Sequence, residues 1–161
     1  MIGNAVKSIF LENEETYLID GDNVATLTDT NYLDHALLLL TNIGYSKIPV
    51  LNKEQQIVGL ISLSNVVTEM FDTESINPDR LATITVADVM ETEFKTIQQP
   101  FNIEKILNYL VDSNFIPVVD EEDIFQGIIT RKEILKAVNH LAHELELKFD
   151  VSEKESIEAN L

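Results

Sequence analysis

Thr130-Arg131-Lys132 opens what reads as a helix late in the chain, and these residue types suit the holding of an anion. A hydroxyl donates, the free first-turn amides of a helix point outward, and two cations add charge, which together fit a phosphate. On a chain whose formal net charge is -17, adjacent cations at one helix start stand out. The competing reading is that Arg131 and Lys132 only solvate an exposed helix start. Other constellations lead less far. His140 and His143, with Glu144 beside them, have a spacing that suits zinc, but no third clear ligand accompanies them. Glu12, Glu14 and Glu15, like Asp120 to Asp123, lie in polar runs and read as solvated surface, not as opposed acids across a cleft. There is no nucleophile elbow, Walker A loop, G-x-G-x-x-G or H-E-x-x-H, and five glycines leave little for a phosphate-cradling glycine loop. The expectation is therefore no catalytic residue, no metal and no enzyme.

The elements that must position these residues come in two copies. Ile48-Pro49-Val50 followed by Gly59-Leu60-Ile61-Ser62 recurs as Ile116-Pro117-Val118 followed by Gly127-Ile128-Ile129-Thr130, both landmarks shifted by the same interval. Upstream of each lies a helical pattern, Leu33 to Leu40 and Ile103 to Leu110, and the turn that follows is two residues shorter in the second copy. Ile103, Ile106, Leu107 and Leu110 form the stripe of an amphipathic helix, whereas the first copy is greasier and looks more buried. Each helix leads to a short apolar strand, a polar turn (Asn52 to Gln56; Asp120 to Asp123) and a second strand, which reads as an antiparallel pair. Each second strand runs into another helix, with Ser62 or Ser64, and then Thr130, as N-caps. The order per repeat is strand, helix, strand, strand, helix. One unit of this size buries too little surface to stand alone, so the two should pack sheet against sheet with approximate two-fold symmetry, leaving two quasi-equivalent clefts. Residues 1–15 read as an N-terminal segment, 16–71 as repeat one, 72–84 as a linker, 85–142 as repeat two and 143–161 as an acidic tail, frayed from Lys148 onward.

Composition agrees with a folded α+β protein. Of the 161 residues 45% are hydrophobic and 24% charged, enough to build a core. So acidic a surface repels nucleic acid and anionic lipid. With no cysteine, disulfides and thiolate metal sites are excluded and a cytoplasmic address is the default. The longest aliphatic string, Ala36 to Leu40, is too short to span a bilayer, and Met1 to Leu11 lacks a signal-peptide apolar run.

The duplicated pattern of helix, I-P-V strand, polar turn and G-h-I-[ST] opening a helix resembles the CBS-domain family, whose tandem pairs form a Bateman module. Asp22-Asn23-Val24-Ala25, Gly44 to Val50 and Thr130-Arg131-Lys132 resemble more closely the stand-alone CBS-pair proteins of Gram-positive bacteria that bind cyclic di-AMP. The resemblance implies a β-α-β-β-α fold per repeat, a homodimer and an adenine-nucleotide ligand, with no cofactor. It implies a ligand site between the repeats made of Asn23, Val24, Ala25, Tyr45, Ser46, Lys47, Ile48, Pro49, Thr130, Arg131, Lys132 and Glu133. Adenine needs apolar walls and backbone groups, which Val24, Ala25, Ile48 and the Tyr45 ring supply. Asn23 stands where some relatives offer lysine. Glu133 occupies the place of the aspartate that holds a ribose in AMP- and ATP-binding CBS sites. Asn114, Phe115, Ile116, Pro117, Ser62, Ser64 and Asn65 would line the second cleft, where Asn65 faces a ribose. Lacking cations, that cleft is expected to be empty or weakly occupied. Tyr45 is read as a ligand residue and Phe115, near the equivalent place, as core. Around the prolines the strands read mostly as core. The function so implied is a regulator that reports cyclic di-AMP by changing its affinity for a protein such as the stringent-response synthetase/hydrolase or a metabolic carboxylase. The alternatives are an energy sensor of AMP, ADP or ATP and a ligand-free interaction scaffold.

Overall fold

A computed structural model describes residues 1–154. In chain order its helices are α1 (Asn4–Leu11), α2 (Leu33–Asn42), α3 (Leu63–Thr68), α4 (Val86–Val89), α5 (Ile103–Asp112) and α6 (Arg131–Lys148). Its strands are β1 (Leu18–Asp20), β2 (Leu27–Thr28), β3 (Lys47–Leu51), β4 (Ile57–Ser62), β5 (Phe115–Val119) and β6 (Phe125–Thr130). This is the α+β pair of repeats that the sequence implies, with short helix starts where hydroxyls cap them. Ser62 accepts from the Asn65 amide at 3.1 Å, and Thr130 accepts from the Glu133 amide at 3.3 Å.

The β3–β4 and β5–β6 hairpins are twins. Val50 pairs with Gly59 and Val118 with Gly127, and each ladder shifts register at the next residue. Gln55 and Asp123 take left-handed backbone angles (φ 65° and 62°) at matching places in the two turns. Pro49 and Pro117 sit mid-strand, paired with Leu60 and Ile128, so the strands continue through them. Parallel pairing of β2 on β3 begins only at Val50, one residue past Pro49.

The segment leading each repeat pairs with the other repeat, although that of the second repeat forms only an isolated bridge and not the expected strand. β1 adds antiparallel to β6 of the second repeat, giving the sheet order β1-β6-β5 beside β2-β3-β4. In return, Glu91 exchanges two backbone hydrogen bonds with Leu60 of the first repeat, at 2.8 and 2.9 Å. Glycine is needed on the receiving strand. A Cβ on Gly127 (φ 150°) would lie 2.1 Å from the Ile19 carbonyl oxygen, and one on Gly59 would lie 2.5 Å from the Met90 sulfur. Three apolar cores follow. One lies under each repeat, and the third, between the sheets, contains Val24, Leu51, Ile57, Leu60, Phe115, Val119 and Ile128.

Several expectations are corrected. The first repeat's helix is not the more buried, because Leu38 is 63% exposed and the burial pattern of Leu33 to Leu40 matches that of Ile103 to Leu110 position by position. The N-terminal segment is part of repeat two's core: α1 buries Ile9 and Phe10, and the Tyr17 hydroxyl donates to the Phe10 carbonyl. The stretch read as a linker buries Leu81 in the first core. Of the stretch read as an acidic tail, residues up to Lys148 extend α6, and Lys148 donates to the Glu12 carboxylate at 2.7 and 2.9 Å. That ammonium holds the Glu12 carboxyl below its ordinary range. Residues 155–161 of that tail lie outside the described residues.

Candidate ligand clefts between the repeats

The two repeats meet along a local two-fold axis. The amides of Ile57 and Phe125 donate across the seam to the carbonyls of Asp123 and Gln55, at 3.2 and 3.0 Å, a reciprocal pair at one end of the axis. At the other end Asn114 Nδ2 donates to Ser46 Oγ at 3.1 Å, and these residues stand 68 positions apart, the same interval as the repeat landmarks. Asn114 does more, since its carbonyl accepts from the Arg131 amide at 2.8 Å. It therefore joins the Tyr45-Ser46 loop of one repeat to the Thr130-Arg131 helix start of the other. Residues distant in the sequence are thus brought together at this end of the axis.

Of the residues expected to line the first cleft, Val24, Ile48 and Pro49 are buried and apolar, Ile48 within the first repeat's own core, Ala25 is half-buried, and Tyr45 is 40% exposed. Asn23 ends the turn Gly21–Asn23 and is exposed. Thr130 is buried as the α6 cap, and Lys132 projects into solvent. Arg131 is not the free cation its position suggests. Its Nε donates to the Leu110 carbonyl at 2.9 Å and its Nη2 to the Val111 carbonyl at 3.2 Å, so the guanidinium closes the C-terminal end of α5. Glu133 pairs with Lys136 at 2.7 Å.

The second cleft is a cavity of about 220 Å³ lined by Lys47, Leu60, Glu91, Glu93, Phe94, Lys95, Tyr109, Asp112, Ser113, Phe115, Ile116 and Pro117. A side pocket of about 120 Å³ reaches Ser46 and Asn114. The expectation that this cleft lacks cations is wrong. Lys47 lies in it, 2.6 Å from Glu91, and the Lys95 ammonium stands 4.8 Å from the centre of the Tyr109 ring. The sequence held the signal: the helix-to-helix offset, applied to Asn23-Val24-Ala25, lands on Glu93-Phe94-Lys95. Ser62 and Asn65 are engaged with each other, since the Asn65 side-chain oxygen accepts from both the amide and the hydroxyl of Ser62. Ser64 is exposed on the first turn of α3. Phe115 is buried in the central core, and its counterpart is Lys47, not Tyr45: Lys47 pairs with Ser62 as Phe115 pairs with Thr130. Tyr45 belongs to the longer turn of the first repeat and has no twin.

His140 faces α1, its Nε2 buried and 3.6 Å from Glu12, and no group of three metal-ligating side chains gathers among the described residues. Nor is any helix among them long and apolar enough to cross a membrane.

Two hairpin repeats, joined by β1 on β6 and by the Glu91–Leu60 backbone pair about a local two-fold axis, define a tandem-repeat α+β architecture. The CBS domain model matches residues 19–72 and 86–140, and the chain belongs to that family. It is 36% identical over 123 residues to the cyclic di-AMP receptor B of Bacillus subtilis, covering 76% of this chain and 84% of that one. Among solved structures it is similar to CbpB of Streptococcus agalactiae, with TM-score 0.83 and 32% identity over 95% of this chain and 96% of that one. It is also similar to CbpB of Listeria monocytogenes in complex with c-di-AMP, with TM-score 0.75 and 40% identity over 81% of this chain and 98% of that one.

Proposed function

We propose that this protein is a non-enzymatic regulator that binds cyclic di-AMP in the first cleft and thereby changes its affinity for a protein partner. The observation that carries the reading is the similarity, over nearly their whole length, to a cyclic di-AMP receptor and to a CbpB solved with c-di-AMP. The geometry supports it. Val24, Ala25, Pro49 and the Tyr45 ring, with the backbone at Ile48, offer walls to an adenine, while Thr130, Lys132, part of Arg131 and the head of α6 offer donors to phosphate. Ser46 and Asn114 tie the two sides of the cleft together.

A mononucleotide sensor is less well supported, because both acidic or amide groups suited to a ribose are engaged. Asn65 completes the α3 cap, and Glu133 pairs with Lys136. A homodimer in the cytoplasm, and a partner such as the stringent-response synthetase/hydrolase, complete the proposal. If ligand and partner favour different states, each weakens the other equally, by about 1–3 kcal/mol.

Isothermal titration with cyclic di-AMP, AMP and ATP tests the reading. Selective binding of the dinucleotide supports it. Preference for AMP or ATP would make the protein an energy sensor, and no heat from any of the three would leave an interaction scaffold.

A further inference from the structure

Lys47 occupies a position that both clefts share. Lys47 and its counterpart Phe115 both line the second cleft, one from each repeat. The local two-fold axis exchanges the clefts and exchanges these two residues, so the same pair of positions borders the first cleft as well. Lys47 is followed directly by Ile48, buried in the first repeat's core, and by Pro49, and preceded by Ser46, which is tied to Asn114. Its backbone is thus rooted at the seam between the two clefts.

The Lys47 side chain points to Glu91 at 2.6 Å, with both side chains more than a third exposed. The Glu91 backbone is fixed by its two hydrogen bonds to Leu60. The other charged groups lining that cavity are Glu93, Lys95 and Asp112, and Lys95 stands over Tyr109. An ammonium paired with a carboxylate is unavailable to a phosphate, and a partly solvated ion pair is weak enough to exchange partners.

We propose that Glu91 is an internal competitor for Lys47: its carboxylate in the second cleft holds the ammonium that a phosphate in the first cleft would otherwise take. The inference rests on the assignment of cyclic di-AMP to the first cleft. It makes the second cleft a regulator of the first, since any change that neutralises or engages Glu91 releases Lys47 toward the dinucleotide.

The test is titration of cyclic di-AMP into the wild type, Glu91→Gln, Lys47→Met and the double variant, with thermal melting of all four as a folding control. Glu91→Gln is expected to bind more tightly by up to about fivefold, the upper limit an exposed ion pair allows. Lys47→Met binds more weakly than wild type, and in its presence Glu91→Gln has no further effect. Wild-type binding with Glu91→Gln unchanged, or a Glu91→Gln gain that persists with Lys47→Met, overturns the competition and leaves the assignment of the first cleft intact. Absence of binding by the folded wild type overturns that assignment itself, and the inference with it.

Discussion

Asn114 donates a side-chain hydrogen bond to Ser46 although the two residues are each other's equivalents in the two repeats. Equivalent residues meet only on a symmetry axis, so this contact marks where the axis emerges between the clefts. The residues beside it, Lys47 and Phe115, differ in charge, and so do Leu63 and Arg131 at the heads of α3 and α6. An almost symmetric backbone therefore carries two chemically distinct clefts.

Asn114→Ala removes the Ser46 contact and leaves the backbone carbonyl that accepts from Arg131. Because the side chain is exposed, a loss of about 0.5–1 kcal/mol is expected, lowering Tm by roughly 2–4 °C. The nucleotide effect should exceed this if the contact holds the cleft walls in register. Calorimetric melting and dinucleotide titration on the same sample compare the two. Equal binding in the variant would reduce the contact to a minor brace.

Arg131 and Lys132 should separate. Arg131→Ala deletes a cap on two α5 carbonyls and is expected to cost about 1–2 kcal/mol in stability besides any loss of binding. Lys132→Ala touches an exposed side chain, so stability should stay within about 0.5 kcal/mol while dinucleotide affinity falls. Urea unfolding beside titration checks both; an Arg131→Ala protein as stable as wild type would mean that the cap contributes nothing.

Local chemistry was legible and long-range exchange was not. The I-P-V and G-h-I-[ST] landmarks encode strands and caps within a few residues, and the hairpins, helix starts and paired repeats follow from them. β1 pairs with a strand more than a hundred residues away, and no local pattern in Leu18–Asp20 names that partner. The same holds for α1, whose apolar face reads as incidental until Phe10 is seen against the second repeat. In the clefts, Thr130 and Ser62 were visible as caps. The engagement of Arg131 with α5, and of Lys47 with Glu91, depends on side-chain direction across the seam, which spacing does not encode.

Gly127→Ala should be far worse than Gly59→Ala. At Gly127 the new methyl meets the backbone carbonyl of Ile19, which is itself fixed in the β1–β6 ladder, and the backbone angle is unfavourable to any side chain. A loss of about 3 kcal/mol or more, or detachment of β1, is expected. At Gly59 the two closest atoms belong to the flexible Met90 side chain, and the Glu91 carbonyl at 3.0 Å must give only slightly, so the cost is about 1–2 kcal/mol. Amide exchange across Leu18–Asp20 in a Gly127→Ala protein reports the detachment. Full protection there would contradict the steric account.

Tyr17 gives the fold an alkaline limit. Burial, then the charge of Glu14, pushes its phenol up to about 12, while the unfolded chain ionises near 10. A folded pKa above the unfolded one means that the fold holds the proton more tightly. The stabilisation is complete below about pH 10 and is lost as pH rises toward 12, by an amount on the order of 2 kcal/mol. Tyr17→Phe should start less stable by about 1 kcal/mol, having lost the bond to the Phe10 carbonyl, yet decline less steeply above about pH 10. Urea midpoints for both proteins at about pH 9 and about pH 11.5 measure the difference. Converging curves identify the buried phenol as the group that titrates; parallel ones would assign the alkaline loss to other residues.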